Sequence, residues 1–176
     1  MPEAQKADAH GVGVQRVEIY VGLGSNLDAE RRLREAVQAL EAAFGPLRRS
    51  AVYRTPAVGA PAPDYLNAAV AFSSDLSPDD VKARLVEIED AARRRRSQPP
   101  SAICGLDLDF LLYGRRVDAR QRLPHRDVLA RAHVLVPLAD IAADLVHPLT
   151  GVRIADACAA LGRGAELPKV GPLGGP

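Results

Sequence analysis

Apolar positions along this chain switch between two spacings. Residues 17–21, Val-Glu-Ile-Tyr-Val, predict a strand that runs into Gly22-Leu23-Gly24-Ser25-Asn26. Leu33, Val37, Leu40 and Phe44 then recur at helical spacing and predict a helix over 28–44, which Gly45-Pro46 stops. Residues 47–53 predict a second strand. Residues 54–63 hold three prolines and one glycine and are expected to form a loop. A third strand is expected over 65–73. Ser77-Pro78-Asp79-Asp80 is a helix start, with a capping serine, proline in the first turn and acids near the positive end of the dipole. That helix should run to about Arg95, with Val81, Leu85, Ile88 and Ala92 inward. Leu106-Asp107-Leu108-Asp109-Phe110-Leu111-Leu112-Tyr113 predicts a fourth strand. Residues 128–145 are expected to be mostly helical, broken near Pro137, with a short helix over 154–161.

The order β-α-β-β-α-β predicts an α+β fold, a ferredoxin-like sandwich with additional C-terminal helices. A leader over 1–15 and a Gly/Pro-rich tail over 162–176 are expected to be disordered and flexible, leaving a single domain over 16–161. The length of 176 residues and the 47% hydrophobic content suit one domain with a real core. A formal net charge of +1 gives no reason to expect nucleic acid or an anionic membrane as partner. The two cysteines, Cys104 and Cys158, are far apart, which excludes a CxxC zinc or redox motif. With no signal-peptide pattern and no long apolar run, the expected location is cytoplasmic, and a monomer is expected.

The fourth strand carries the sharpest chemical signal. Side chains alternate faces along a strand, so Asp107 and Asp109 point one way while Leu108 and Phe110 enter the core. Two aspartates on one face repel each other and resist desolvation, and a cation between them relieves both costs. Oxygen ligands of this kind suit Mg²⁺, which usually arrives with substrate phosphates. The alternative is an edge strand with two solvated acids. Gly22-x-Gly24 lacks the third glycine of a dinucleotide fingerprint, and no Gly-Lys dipeptide exists for a Walker A loop. Phosphates would therefore fall to arginine side chains. Arg93-Arg94-Arg95-Arg96 supplies them, with Glu89 upstream, unless it is simply a solvated helix end. Arg120, Arg122, His125, Arg126, Arg131 and His133 form a second polar cluster. Tyr65 and Asn67 offer an aromatic face and an amide that suit a flat polar heterocycle.

Seven segments in order resemble the 6-hydroxymethyl-7,8-dihydropterin pyrophosphokinase family: Leu23 to Leu27, Tyr53-Arg54-Thr55-Pro56, Asp64 to Val70, Ile88-Glu89 with Arg94 and Arg96, Leu106 to Asp109, Leu112-Tyr113-Gly114, and Pro124-His125. The resemblance implies transfer of the terminal diphosphate of ATP to the pterin hydroxymethyl group, with AMP leaving. It implies two Mg²⁺ ions on Asp107 and Asp109, with Arg94 and Arg96 joining them in catalysis. It implies nucleotide contacts from Glu89, Arg94, Arg96, His125 and Arg131, with Arg120 or Arg122 nearby. It implies a pterin pocket of Thr55, Pro56, Val58, Tyr65, Asn67 and His133. The sequence departs from the family before the Asp-Leu-Asp strand, where Ser101 stands at a usual tryptophan and Cys104 at a usual phosphate-binding arginine. His133 stands where a stacking aromatic is expected. These departures leave two alternatives: a modified pterin as substrate, or a non-catalytic pterin- or nucleotide-binding paralogue.

Overall fold

The computed structural model describes residues 15–57, 61–94 and 104–174, with Arg93 and Arg94 described in their backbone only. Val58, Arg96, Ser101 and nearly all of the expected leader lie outside the described residues. The chain runs β1 (Val17–Ser25), α1 (Ala29–Phe44), β2 (Arg48–Arg49), β3 (Ala51–Thr55), β4 (Tyr65–Ser74), α2 (Pro78–Arg94), β5 (Asp107–Tyr113), α3 (Ala132–Ala142), α4 (Ile154–Ala160), a 3-10 turn (Gly162–Ala165) and β6 (Lys169–Pro172). The strands form one antiparallel sheet in the order β5-β1-β4-β3-β6, with β2 also on β4. The two β-α-β units interleave, which is the ferredoxin-like arrangement expected from the element order.

Each sheet face has its own core. On one face Ile19, Val21, Leu23, Val70, Phe72, Leu108 and Phe110 pack against Leu33, Val37 and Leu40 of α1 and Val81 and Leu85 of α2. Phe44 stacks on Phe72 with ring centroids 4.3 Å apart. On the other face Tyr20, Ala71, Leu111 and Leu112 meet Val134, Leu135 and Leu138 of α3 and Ile154 of α4. The strand alternation that buries Leu108 and Phe110 under α1 and α2 turns Asp107 and Asp109 to the α3 side.

Three sequence expectations need correction. The second strand is two pieces. Arg49 faces Val70 while Tyr53 faces Asn67, so four steps on one strand match three on the other, a bulge. Ser50 sits in the gap, and its buried hydroxyl accepts the Ala69 N–H at 2.8 Å. Helix α3 is not broken at Pro137. It begins later than expected, at Ala132, and runs through the buried proline to Ala142. Proline removes one backbone donor there, and burial of Val134, Leu135 and Leu138 holds the helix together around it. The stretch after Gly162, expected to be loose, forms the 3-10 turn and then β6, which covers the outer edge of β3. Leu173 explains why: it is only 3% exposed and belongs to the α1/α2 core. Leu173→Ala should therefore cost about 2–5 kcal/mol in denaturant unfolding. Stability equal to the parent would mean that the end of the chain does not contribute to the core.

Candidate active site

Helix α3 covers the Tyr20, Ala71 and Leu111 end of its sheet face and stops short of the rest. The uncovered rows can be read from the register. Asp107 faces Gly24, which faces Asn67, which faces Tyr53. Asp109 faces Gly22, which faces Ala69. Glycine at two successive positions on this face of the central strand leaves nothing standing above the backbone there. The result is a cleft of about 340 Å³, lined among others by Gly22, Gly24, Thr55, Pro56, Tyr65, Asn67, Asp107, Asp109, His133 and Val134. A methyl group at Gly24 would sit 3.5 Å from Asn67 Oδ1, and one at Gly22 would sit 3.5 Å from Asp109 Cβ.

The two walls differ in chemistry. On the β3/β4 side, Asn67 is buried and its Nδ2 donates to Thr55 Oγ1 at 2.9 Å. That bond orients the amide so that its oxygen lies over the glycine floor. Tyr65, the cross-strand neighbour of Thr55, adds an aromatic wall. Burial raises the pKa of its phenol, as do charges at Cys104 and Asp107. This side suits the edge and face of a flat heterocycle.

On the β5 side the two carboxylates stand together. Burial raises the pKa of Asp109, and the negative charges of Asp107 and Asp127 raise it further. His125, whose Nε2 lies 3.6 Å from Asp109 Oδ1, and His133 pull the other way. His133 sits in the first turn of α3 at the cleft mouth. Desolvation lowers its pKa, which favours the neutral ring, against the pull of Asp127, Asp109 and Asp107. A hard cation matches this donor set: it would offset both the burial and the repulsion that raise the pKa of Asp109.

A buried polar knot ties the loops beside the cleft. Asn26 Oδ1 accepts the Cys104 N–H at 2.6 Å, its own N–H donates to the Cys104 carbonyl at 3.1 Å, and its Nδ2 donates to the Pro63 carbonyl at 3.3 Å. Ser25 Oγ donates to the Gly105 carbonyl at 2.9 Å. The end of β1 thus holds both the approach to β4 and the approach to β5.

The structure gathers Thr55, Pro56, Tyr65, Asn67, Asp107, Asp109 and His133 in one cleft, with His125 against Asp109. It does not gather every residue of the expected nucleotide set. Glu89 points to the strand edge, where Oε1 accepts the Leu108 N–H at 2.7 Å, between the two aspartates in sequence. Arg120 and Arg122 occupy an exposed turn organised by Asp118, outside the cleft lining. Arg131 is exposed, 3.9 Å from Asp127. Sequence reasoning missed Asp127, whose charge reaches both Asp109 and His133, and missed the glycine floor. Two glycines spaced by one residue inside a strand were the available signal, since each weakens a strand unless something must approach the backbone.

The raised pKa of Asp109 gives a signed expectation for the metal-free protein. A carboxyl that binds its proton more tightly when folded favours folding while neutral. That contribution is lost as pH climbs from its ordinary value of 3.8 through the raised value. At neutral pH the ionised pair therefore opposes folding. Asp109→Asn should melt at a higher temperature than the parent in chelator at about pH 7, and the gap should close on acidification to about pH 4. A variant less stable than the parent at neutral pH would show that the pair is not strained.

Comparison with known proteins agrees with this geometry. The family model described as 7,8-dihydro-6-hydroxymethylpterin-pyrophosphokinase (HPPK) matches residues 20–143. A 2-amino-4-hydroxy-6-hydroxymethyldihydropteridine pyrophosphokinase of Methylorubrum extorquens is 47% identical over 135 residues, 72% of this chain and 84% of that protein. One from Synechocystis is 40% identical over 139 residues, 76% of this chain and 71% of that protein. The crystal structure of a Plasmodium falciparum HPPK-DHPS triple mutant superposes with a TM-score of 0.65 at 12% identity, over 86% of this chain and 46% of that one, a likeness of fold. The matched span runs from Tyr20 in β1 past the end of α3, and so takes in both carboxylates, the glycine floor and His133: the chain belongs to the HPPK family.

Proposed function

We propose that this cleft transfers the terminal diphosphate of ATP to the hydroxymethyl group of 6-hydroxymethyl-7,8-dihydropterin, with AMP leaving, a step of folate biosynthesis. One observation carries the assignment of residues. Asp107 and Asp109 share a face with Tyr65, Asn67 and Thr55, across a floor of two glycines. A polyphosphate and a flat ring can therefore lie side by side, with their reacting ends over β1.

The pterin would lie on the β3/β4 side, its polar edge on Asn67 and Thr55 and its faces between Tyr65 and the neutral ring of His133. Holding both reactants in one cleft turns a bimolecular encounter into an oriented one. Asp107 and Asp109 would hold Mg²⁺, as two ions in the fullest form of this reading. When bound, the metal neutralises phosphate charge and acidifies the attacking hydroxyl. His125, against Asp109, would orient that carboxylate and reach the phosphates. Arg94, at the end of α2, and Arg96, beyond it, would spread the charge that builds on the transferred group. Arg131 would face the nucleotide from the far side of Asp127. No covalent intermediate on a side chain is required, because the hydroxymethyl oxygen is itself the nucleophile and attacks the β-phosphorus. Among the described residues no helix is long and apolar enough to cross a membrane.

The test is AMP release from ATP and hydroxymethyl-dihydropterin in the presence of Mg²⁺. Asp107→Asn and Asp109→Asn should each lower turnover about a hundredfold or more while keeping the parent's circular dichroism. Turnover within about threefold of the parent in either variant would remove that carboxylate from the metal site.

A further inference from the structure

Glu89 is not among the described residues that line the cleft, yet it is bonded to the strand that carries both aspartates. It continues the inward stripe of α2. Val81 and Leu85 are buried, and Glu89 follows Leu85 by four residues and is half-buried. A carboxylate on such a stripe is costly unless it is hydrogen-bonded. Its Oε1 accepts the Leu108 N–H at 2.7 Å, the short length of a charge-assisted bond.

Strand β5 has reason to need a hold on that side. It is an edge strand, paired only with β1 among the described residues. Cross-strand pairs of side chains normally help to fix such a strand. On the cleft face Asp107 and Asp109 stand opposite Gly24 and Gly22, which offer no side chain to pair with. Openness of the floor is thus bought with a weaker grip on the carboxylate strand. Helix α2 and its approach supply a grip from the outer edge. At the far end of β5 the Tyr113 hydroxyl donates to the Leu76 carbonyl at 3.0 Å, just before α2. At the near end the bond from Leu108 to Glu89 falls between the two aspartates. This tie acts by geometry rather than by charge. The charges that shift Asp109 are those of Asp107, His125, Asp127 and His133, and Glu89 is not one of them.

We propose that Glu89 is a positioning residue: through the Leu108 backbone it sets the placement of Asp107 and Asp109 for their metal. This gives Glu89 a role other than contact with the nucleotide, and it rests on the reading of the aspartate pair as Mg²⁺ ligands. Removing a group that orients metal ligands changes metal affinity or activity by about 10–100-fold.

The experiment uses the full chain and compares E89A, E89Q and D109N with the parent. The first readout needs no metal. In chelator, the Leu108 amide should exchange with solvent deuterium about tenfold faster or more in E89A, followed by NMR. The second is the free Mg²⁺ that gives half-maximal AMP release at saturating ATP and hydroxymethyl-dihydropterin, which should rise about tenfold in E89A. E89Q keeps an oxygen that can accept from Leu108 and should recover most of both effects. A glutamate that merely supports the fold predicts a lower melting temperature in E89A with an unchanged Mg²⁺ requirement, and that result overturns the proposal. So does an E89Q variant no better than E89A, or a KM for ATP raised alike in both with the Mg²⁺ requirement unmoved, the mark of a direct nucleotide ligand. If E89A does not fold, E89M, of similar length and without an oxygen, carries the same comparison. D109N separates the two layers. D109N within about threefold of the parent removes the metal reading itself, whereas D109N inactive beside an E89A of normal Mg²⁺ requirement removes Glu89 alone.

Discussion

Two negative charges on neighbouring same-face positions of one strand are the constraint around which this site is arranged. Alternation along β5 makes their side independent of the core, because Leu108 and Phe110 take the buried face. Burial and mutual repulsion hold Asp109 away from ordinary carboxylate behaviour. Among the described residues, the groups that temper the charge are His125 and His133, and no lysine or arginine lines the cleft. A site filled by a permanent protein cation could not also accept a metal carrying phosphates.

The surroundings of the pair follow from keeping that space open. Helix α3 buries the sheet as far as Leu111 and then ends, and β1 contributes glycines where side chains would fill the gap. Ser25 and Asn26 come directly after, so the strand that forms the floor also pins the segments entering β4 and β5. A short polar segment that looks like an ordinary strand end is in fact buried, with Ser25 fully inaccessible and Asn26 2% exposed. Its polar atoms are tied up in bonds to backbone across the cleft entrance.

Much of this was legible in the sequence because it depends on periodicity. The element order, the inward face of β5 and the shared face of Asp107 and Asp109 all follow from spacing two and spacing 3.6. The residues proposed to hold the pterin came from motif order. The parts that were not legible depend on contacts between distant segments. Nothing local reveals that Leu173 reaches the core, that Glu89 binds the edge of β5, or that Asp127 charges the cleft. Pro137 misled because a local rule about helix breaking gave way to burial of its neighbours. The bulge at Ser50 was hidden because a serine in a strand looks like any other polar interruption until its hydroxyl is seen replacing a ladder bond.

The link between Tyr53 and Asp140 has its own consequence. Asp140 Oδ2 accepts from the Tyr53 hydroxyl at 2.8 Å and from the Ala51 N–H at 3.0 Å, joining α3 to β3. Tyr53 is buried, and desolvation together with this carboxylate raises its pKa strongly, so the proton stays in place across the working range. Thr55 is carried by the strand at one end of this brace and His133 by the helix at the other. The brace therefore ties together the two elements that carry opposite walls of the cleft. On the proposed function, a variant meant to take a bulkier ring is better sought among the side chains lining those walls than in a parting of the two braced elements.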